Sequence, residues 1–165
     1  VICIPQGWIW QGGIALAVVM FGDSVDGTLA RMTTGGTRFG AFLDSTLDRL
    51  GDGAVFGSLT AYAVFHMDNS FVRTWTLIAG ICSIVGAVAV PYARARAESV
   101  GVVAKLGIAE RTDRLIVGMG TAMLMSLGLP EWVFACGLTW VAFASFVTVC
   151  QRIWFTARHI DEGAQ

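Results

Sequence analysis

Five stretches of the chain are apolar over lengths that suit a membrane crossing: residues 9–31, 40–65, 72–95, 112–127 and 131–155. A spanning helix takes about 20 mostly apolar residues. A lipid-facing backbone must also satisfy its own hydrogen bonds, so each stretch is expected to be helical. The fourth is short. Gly53, Gly57, Gly80, Gly86, Gly118 and Gly120 interrupt these stretches, and small residues let spanning helices approach closely. The expected fold is all-α, a polytopic membrane helix bundle forming a single domain over residues 1–165.

The polar positions between the stretches give the bundle an orientation. Arg31, Arg38, Arg49, Arg94, Arg96, Lys105, Arg111, Arg114, Arg152 and Arg158 fall on or near one side, and Arg73 falls on the other. Cytoplasmic loops carry the excess of Lys and Arg, so the basic side is expected to face the cytoplasm. The loops HMDNSF at 66–71 and SLGLP at 126–130 then lie on the opposite side. Segment 9–31 must run inward, so a complete protein is expected to have one more helix before it, six in all. The opening Val1, in place of an initiator Met, agrees with a missing first helix.

Composition sharpens this picture. Of 165 residues, 55% are hydrophobic and only 14% charged, and the mean hydropathy is +0.67. A soluble domain carries about 25% charged residues. The net charge of −1 argues against a nucleic-acid binder, which needs a basic stripe. Cys3, Cys82, Cys136 and Cys150 form no CxxC pair and are expected to be small buried hydrophobes. His66 and His159 have no partner at ligand spacing and are expected to be solvated. Trp8, Trp10, Trp75 and Trp132 lie near segment ends, where indole rings anchor at the interface. Trp140 and Trp154 are expected to pack or face lipid.

The candidate chemistry is concentrated in one hairpin. Asp23 and Asp26 close the first segment, and Asp44 and Asp48 open the second. Spacings of three and four put side chains on one helix face, so each pair forms one carboxylate edge. The turn at 32–39 brings the two edges to similar depth. Four carboxylates at a membrane are costly unless something offsets their charge. Hard divalent cations take such oxygens and keep positions open for phosphate, and two ions can clamp both sides of a phosphoryl displacement. Gly27 and Gly40 admit a ligand to the backbone, Ala30 keeps the same face low, and Arg31 offers a bidentate fork for phosphate. Salt bridges or a solvated rim would explain one Asp near a helix end, but not four with Gly, Ala, Gly and Arg at helical spacing. Arg49 and Asp52 follow the motif and are read as charges behind the site or at its rim.

The run DSVDGTLARMTTGGTRFGAFLDSTLD, residues 23–48, resembles the signature of the CDP-alcohol phosphatidyltransferases, D-x2-D-G-x2-A-R-x8-G-x3-D-x3-D. Asp23, Asp26, Gly27, Ala30, Arg31, Gly40, Asp44 and Asp48 fill all its fixed positions. The resemblance implies a six-helix membrane domain, commonly a homodimer, of which about five helices stand in this chain. It implies that Asp23, Asp26 and Asp44 are the main metal ligands. Asp48 would bind the second metal and act as general base on the acceptor hydroxyl. Gly27 and Arg31, with Ala30, Thr37 and Gly40, would lie along the CDP-lipid, and Arg38 is a further candidate. The cofactor would be two Mg2+ ions, with Mn2+ as a substitute. The hydroxyl oxygen would attack the lipid-side phosphorus and release CMP. Metal binding would keep Asp48 ionised, so its basicity would come from orientation.

The acceptor is read from residues 91–114, PYARARAESVGVVAKLGIAERTDR. Arg94, Lys105, Arg111 and Arg114 stand there on the same side as the Asp hairpin, and Arg152 ends the last segment beside them. Positive-inside bias and anionic lipid heads explain part of this charge. So many cations at three helix ends beside a metal site also suit an anionic acceptor, because Arg forks and Lys hold phosphate. The stretch resembles the corresponding part of the actinobacterial phosphatidylinositol-phosphate synthases, which implies CDP-diacylglycerol and inositol phosphate as substrates at a plasma-membrane site facing the cytoplasm. Glycerol 3-phosphate is the nearest alternative acceptor. A divalent-cation transporter is the rival from another class, but transport sites favour broken helices at the bilayer midplane. A non-catalytic scaffold gives no reason for eight fixed positions.

Overall fold

The computed structural model describes residues 2–18, 37–108 and 110–160, and among these every regular element is helical. A 3-10 turn at Ile4–Gln6 precedes α1, described over Ile9–Val18. Then come α2 (Arg38–His66), α3 (Phe71–Ser99), α4 (Arg111–Ser126) and α5 (Glu131–His159). From α2 onward these bounds agree with the hydrophobic pattern to within a few residues, except that α3 and α5 each run four residues past the expected end. Residues 19–36 lie outside the described residues, and with them Asp23, Asp26, Gly27, Ala30 and Arg31.

Local chemistry sets the helix starts. Thr37 caps α2, its hydroxyl accepting from the Gly40 amide at 3.0 Å. Ser70 does the same for α3, accepting from Arg73 at 3.2 Å. Such a cap satisfies one of the amides that a helix start leaves without a partner. At α4 the Glu110 amide donates to Asp113 at 3.3 Å, the return half of a capping box.

Helices α3 and α5 are each long and apolar enough to cross a membrane. Their outward faces carry Ile78, Ile81 and Val85 on α3 and Phe143, Phe146 and Ile153 on α5, all exposed. A soluble monomer rarely shows so much contiguous apolar surface; in a bilayer the same surface meets lipid, and the chain is a membrane protein. Trp8, Trp10 and Trp132 are exposed near helix ends, as expected of interface anchors. Trp75 instead also serves packing, its indole donating to Thr139 at 2.8 Å. Cys136 and Cys150 are exposed and Cys3 and Cys82 half-buried, so the cysteines are not the core residues expected; Cys136 and Cys150 stand on outward faces of α5.

The core joins α2, α4 and α5 through Phe56, Leu59, Leu115, Met119, Phe134 and Leu138, each buried. Helices α3 and α5 pack along a small-residue seam, where Ser83 donates across to the Leu138 carbonyl at 3.0 Å. Of the glycines expected to admit close packing, Gly80, Gly86 and Gly118 do so, facing Thr60, Ser145 and Phe56. Gly53, Gly57 and Gly120 face open space instead. Gly137 is the tightest contact not foreseen: a Cβ there would overlap the Cβ, Cγ2 and Oγ1 of Thr121. Gly137→Leu is therefore expected to force α4 from α5 and to cost about 1–3 kcal/mol or more. Thermal unfolding of the detergent-solubilised protein measures it; an unchanged midpoint would contradict the packing.

Helix lengths position the site. At 1.5 Å per residue the 29 residues of α2, α3 and α5 each reach about 44 Å, beyond a hydrocarbon core of about 30 Å. The 16 residues of α4 reach only about 24 Å. Its first residue meets α2 at Asp48 and Asp52, more than two turns inside the start of α2. The short helix leaves a recess between its longer neighbours.

Candidate active site

That recess is a cavity of about 790 Å³ on the basic side of the bundle. Asp48 and Arg49 line it from α2, the turn around Pro91 with Arg94 from α3, and Lys105 from the loop 100–110. Arg111 and Arg114 line it from α4, and Arg152 from α5. All five residues expected to bind an acceptor phosphate, Arg94, Lys105, Arg111, Arg114 and Arg152, thus share one wall with Asp48. Six basic side chains there, these five and Arg49, face three acidic ones, Asp48, Glu98 and Glu110. The excess of positive charge suits a bound anion.

Asp44, Asp48 and Asp52 follow one another at i+4 along one face of α2. Their burial is graded. Asp44 is exposed, Asp48 half-buried, and Asp52 only 1% exposed. The start of α4 meets this ladder with Arg111 and Arg114, one turn apart. Arg111 bridges two rungs, with Nη1 2.8 Å from Asp48 Oδ1 and Nε 2.8 Å from Asp52 Oδ1. Arg114, 3% exposed, holds Nη2 3.5 Å from Asp52 Oδ2. Its Nη1 donates to the Gly86 carbonyl at 3.3 Å.

Three features sharpen the sequence reading. Of the two places expected for Asp52, it takes the one behind the site and not the rim, as the buried counter-ion of two arginines. Arg152 does not end its helix, which continues to His159. Its Nε donates to the Leu106 carbonyl at 2.9 Å and its Nη1 to the Val90 carbonyl at 2.5 Å. Arg152 thus ties the loop to α3 as well as lining the cavity. Thr37, expected beside the CDP-lipid, spends its hydroxyl on the cap of α2, with Gly40 exposed next to it.

The loop reaches this position through a glycine. Gly107 has φ +144°, where a side chain is strained, and a Cβ on it would overlap Thr148 of α5. Arg94 pairs with Glu98 one turn on, at 2.9 Å. The i, i+4 spacing of Arg94 and Glu98 makes this pair legible in the chain. His66 is exposed and stacked on Tyr62 at 4.7 Å, and His159 stacks on Phe155 at 4.2 Å; both lie apart from the cavity.

The acidic side chains lining the cavity offer only hard oxygen donors. Asp48, on the cavity wall, and Asp44, one turn away and outside its lining, offer oxygens of the kind Mg2+ or Mn2+ takes, although no group of three or more possible ligands comes together among the described residues. The arrangement combines a carboxylate able to take a proton with a cationic wall able to hold a phosphate.

A family model described as CDP-alcohol phosphatidyltransferase matches residues 1–150. The phosphatidylinositol phosphate synthase of Cutibacterium acnes is 38% identical over 159 residues, which cover 92% of this chain and 75% of that protein. The crystal structure of Mycobacterium tuberculosis phosphatidylinositol phosphate synthase with CDP-DAG bound is similar with a TM-score of 0.83 at 35% identity, covering 93% of this chain and 76% of that one. The same M. tuberculosis enzyme in complex with manganese and citrate gives the same TM-score and identity, covering 73% of that chain.

Proposed function

Because the chain belongs to the CDP-alcohol phosphatidyltransferase family, we propose that it transfers a phosphatidyl group from CDP-diacylglycerol to inositol phosphate, giving phosphatidylinositol phosphate and CMP. The observation that carries this reading is the cavity itself, where Asp48 faces a cationic wall drawn from α2, α3, α4, α5 and a loop. An alcohol that bears a phosphate has a use for both halves of that site. A neutral alcohol has a use only for the carboxylate.

In this reading Asp23, Asp26, Asp44 and Asp48 would hold two divalent ions, Mg2+ or Mn2+, which would supply positive charge against the pyrophosphate oxygens. Gly27, Ala30, Arg31, Thr37 and Gly40 lie along the cytidine diphosphate. Lys105 and Arg111 hold the acceptor phosphate, supported by Arg94, Arg114 and Arg152. The phosphate contacts fix the inositol hydroxyl toward Asp48, whose carboxylate accepts the hydroxyl proton. The oxygen forms its bond to the lipid-side phosphorus as the bond to CMP breaks, and CMP leaves with the electron pair. Holding both reactants in line supplies much of the rate. Residues 1–165 belong to one multi-pass domain, in a homodimer in the plasma membrane, with the cavity toward the cytoplasm.

Chelation tests the metal part together with the product. EDTA is expected to stop lipid formation from CDP-diacylglycerol and inositol phosphate, and Mg2+ or Mn2+ to restore a lipid with the mass of phosphatidylinositol phosphate. Activity that persists in EDTA would remove the metals. A product formed from glycerol 3-phosphate instead would move the acceptor to the nearest alternative.

A further inference from the structure

One charged side chain stands behind the wall of the cavity without lining it. Asp52 is 1% exposed and one turn deeper than Asp48, so it cannot reach substrate. A buried carboxylate in a membrane helix is costly unless paired, and its two oxygens divide between two cations. Oδ1 takes Arg111 Nε at 2.8 Å, and Oδ2 faces Arg114 Nη2 at 3.5 Å. Both arginines belong to the first turn of α4, whereas Asp52 belongs to α2.

From this geometry we infer that Asp52 is the positioning residue of the acceptor pocket, fixing the Arg111 and Arg114 guanidiniums at the depth and angle at which they meet the acceptor phosphate beside Asp48. The inference rests on the proposed transfer to a phosphorylated acceptor. A guanidinium is planar, so fixing Nε orients the whole fork. With Nε held by Asp52, Arg111 Nη1 is directed at Asp48, 2.8 Å away. The side chain that anchors the phosphate is thereby registered against the carboxylate that receives the proton. Lysine at 111 would keep the charge and lose the register. Asp52 also separates two like charges one turn apart, which would repel without it. Arg114 is held from its other side by the Gly86 carbonyl at 3.3 Å, so its position is fixed from α2 and α3 together.

The test is steady-state CMP release by the full chain in nanodiscs, with KM measured separately for inositol phosphate and for CDP-diacylglycerol. Asp52→Asn keeps the side-chain shape and removes the charge. It is expected to raise the acceptor KM about tenfold or more, the scale of a misplaced charge-assisted hydrogen bond, while the donor KM stays within about twofold. Asp52→Glu keeps the pairing one methylene out of place and is expected to raise the acceptor KM by less, again without moving the donor KM. If Asp52→Asn does not yield folded protein, Asp52→Glu decides. An unchanged acceptor KM, or equal rises in both constants, would overturn the inference and leave only a structural ion pair. Should the unsubstituted protein release no CMP with any phosphorylated acceptor, the proposed function fails and the inference falls with it, an outcome distinct from the first.

Discussion

Asp48→Ala is expected to reduce CMP release by about 10²–10⁴-fold from loss of the general base alone, and further through loss of a metal ligand. The folded protein should survive the change. Asp48 is only half-buried, and its pairs with Arg111 and Arg49 lie at the water-facing wall of the cavity, where such pairs contribute about 0–1 kcal/mol. Arg111 keeps its second partner, Asp52. Activity and thermal unfolding, measured on one preparation, separate the two effects. Substantial turnover by a folded Asp48→Ala protein would remove this residue from the chemistry.

Arg111→Gln acts on the other half of the site. The side chain retains a donor but loses its charge and its fork. A hydrogen bond to a charged group contributes about 1.5–3 kcal/mol, so the acceptor KM is expected to rise by about ten- to a hundredfold. Removing Arg111 also leaves Asp52 with Arg114 at 3.5 Å as its remaining ion pair, and losing one partner of a buried pair costs stability. The unfolding midpoint should therefore drop as well, unlike in Asp48→Ala. Titrating the two substrates against the Arg111→Gln protein measures the asymmetry. A donor KM that rose with an unmoved acceptor KM would place Arg111 on the nucleotide instead.

These two residues also illustrate what was legible in the chain. The helices were readable because membrane crossings are long and apolar: α3 and α5 stand out by length and apolar character together, and loops such as HMDNSF and SLGLP break the pattern sharply. The charged half of α2 was legible for another reason, the fixed spacing of Gly40, Asp44 and Asp48. Positive-inside bias brought Arg94, Lys105, Arg111, Arg114 and Arg152 to one side, and the cavity gathers them all. For Asp52 the i+4 step from Asp48 says which face it shares and nothing about depth, so the chain left it open between a place behind the site and one at its rim. Its burial follows from the start of α4 docking inside the bundle, a tertiary event. Arg152 was half-read: its side was clear, but its carbonyl partners depend on the path of the loop past Gly107 and on the turn at Pro91. Small residues were similarly ambiguous, since Gly80 and Gly53 look alike in the chain and only one meets a neighbour.

The central claim is that a phosphorylated alcohol is bound by the cationic wall and activated at Asp48. The most direct measurement is CMP release from CDP-diacylglycerol with Mg2+, comparing inositol phosphate, glycerol 3-phosphate and free inositol as acceptors for the same purified protein. The account predicts release with inositol phosphate and none above background with free inositol. Equal release with free inositol and inositol phosphate would contradict it, because the arginines and lysine of the cavity would then have no part in choosing the acceptor.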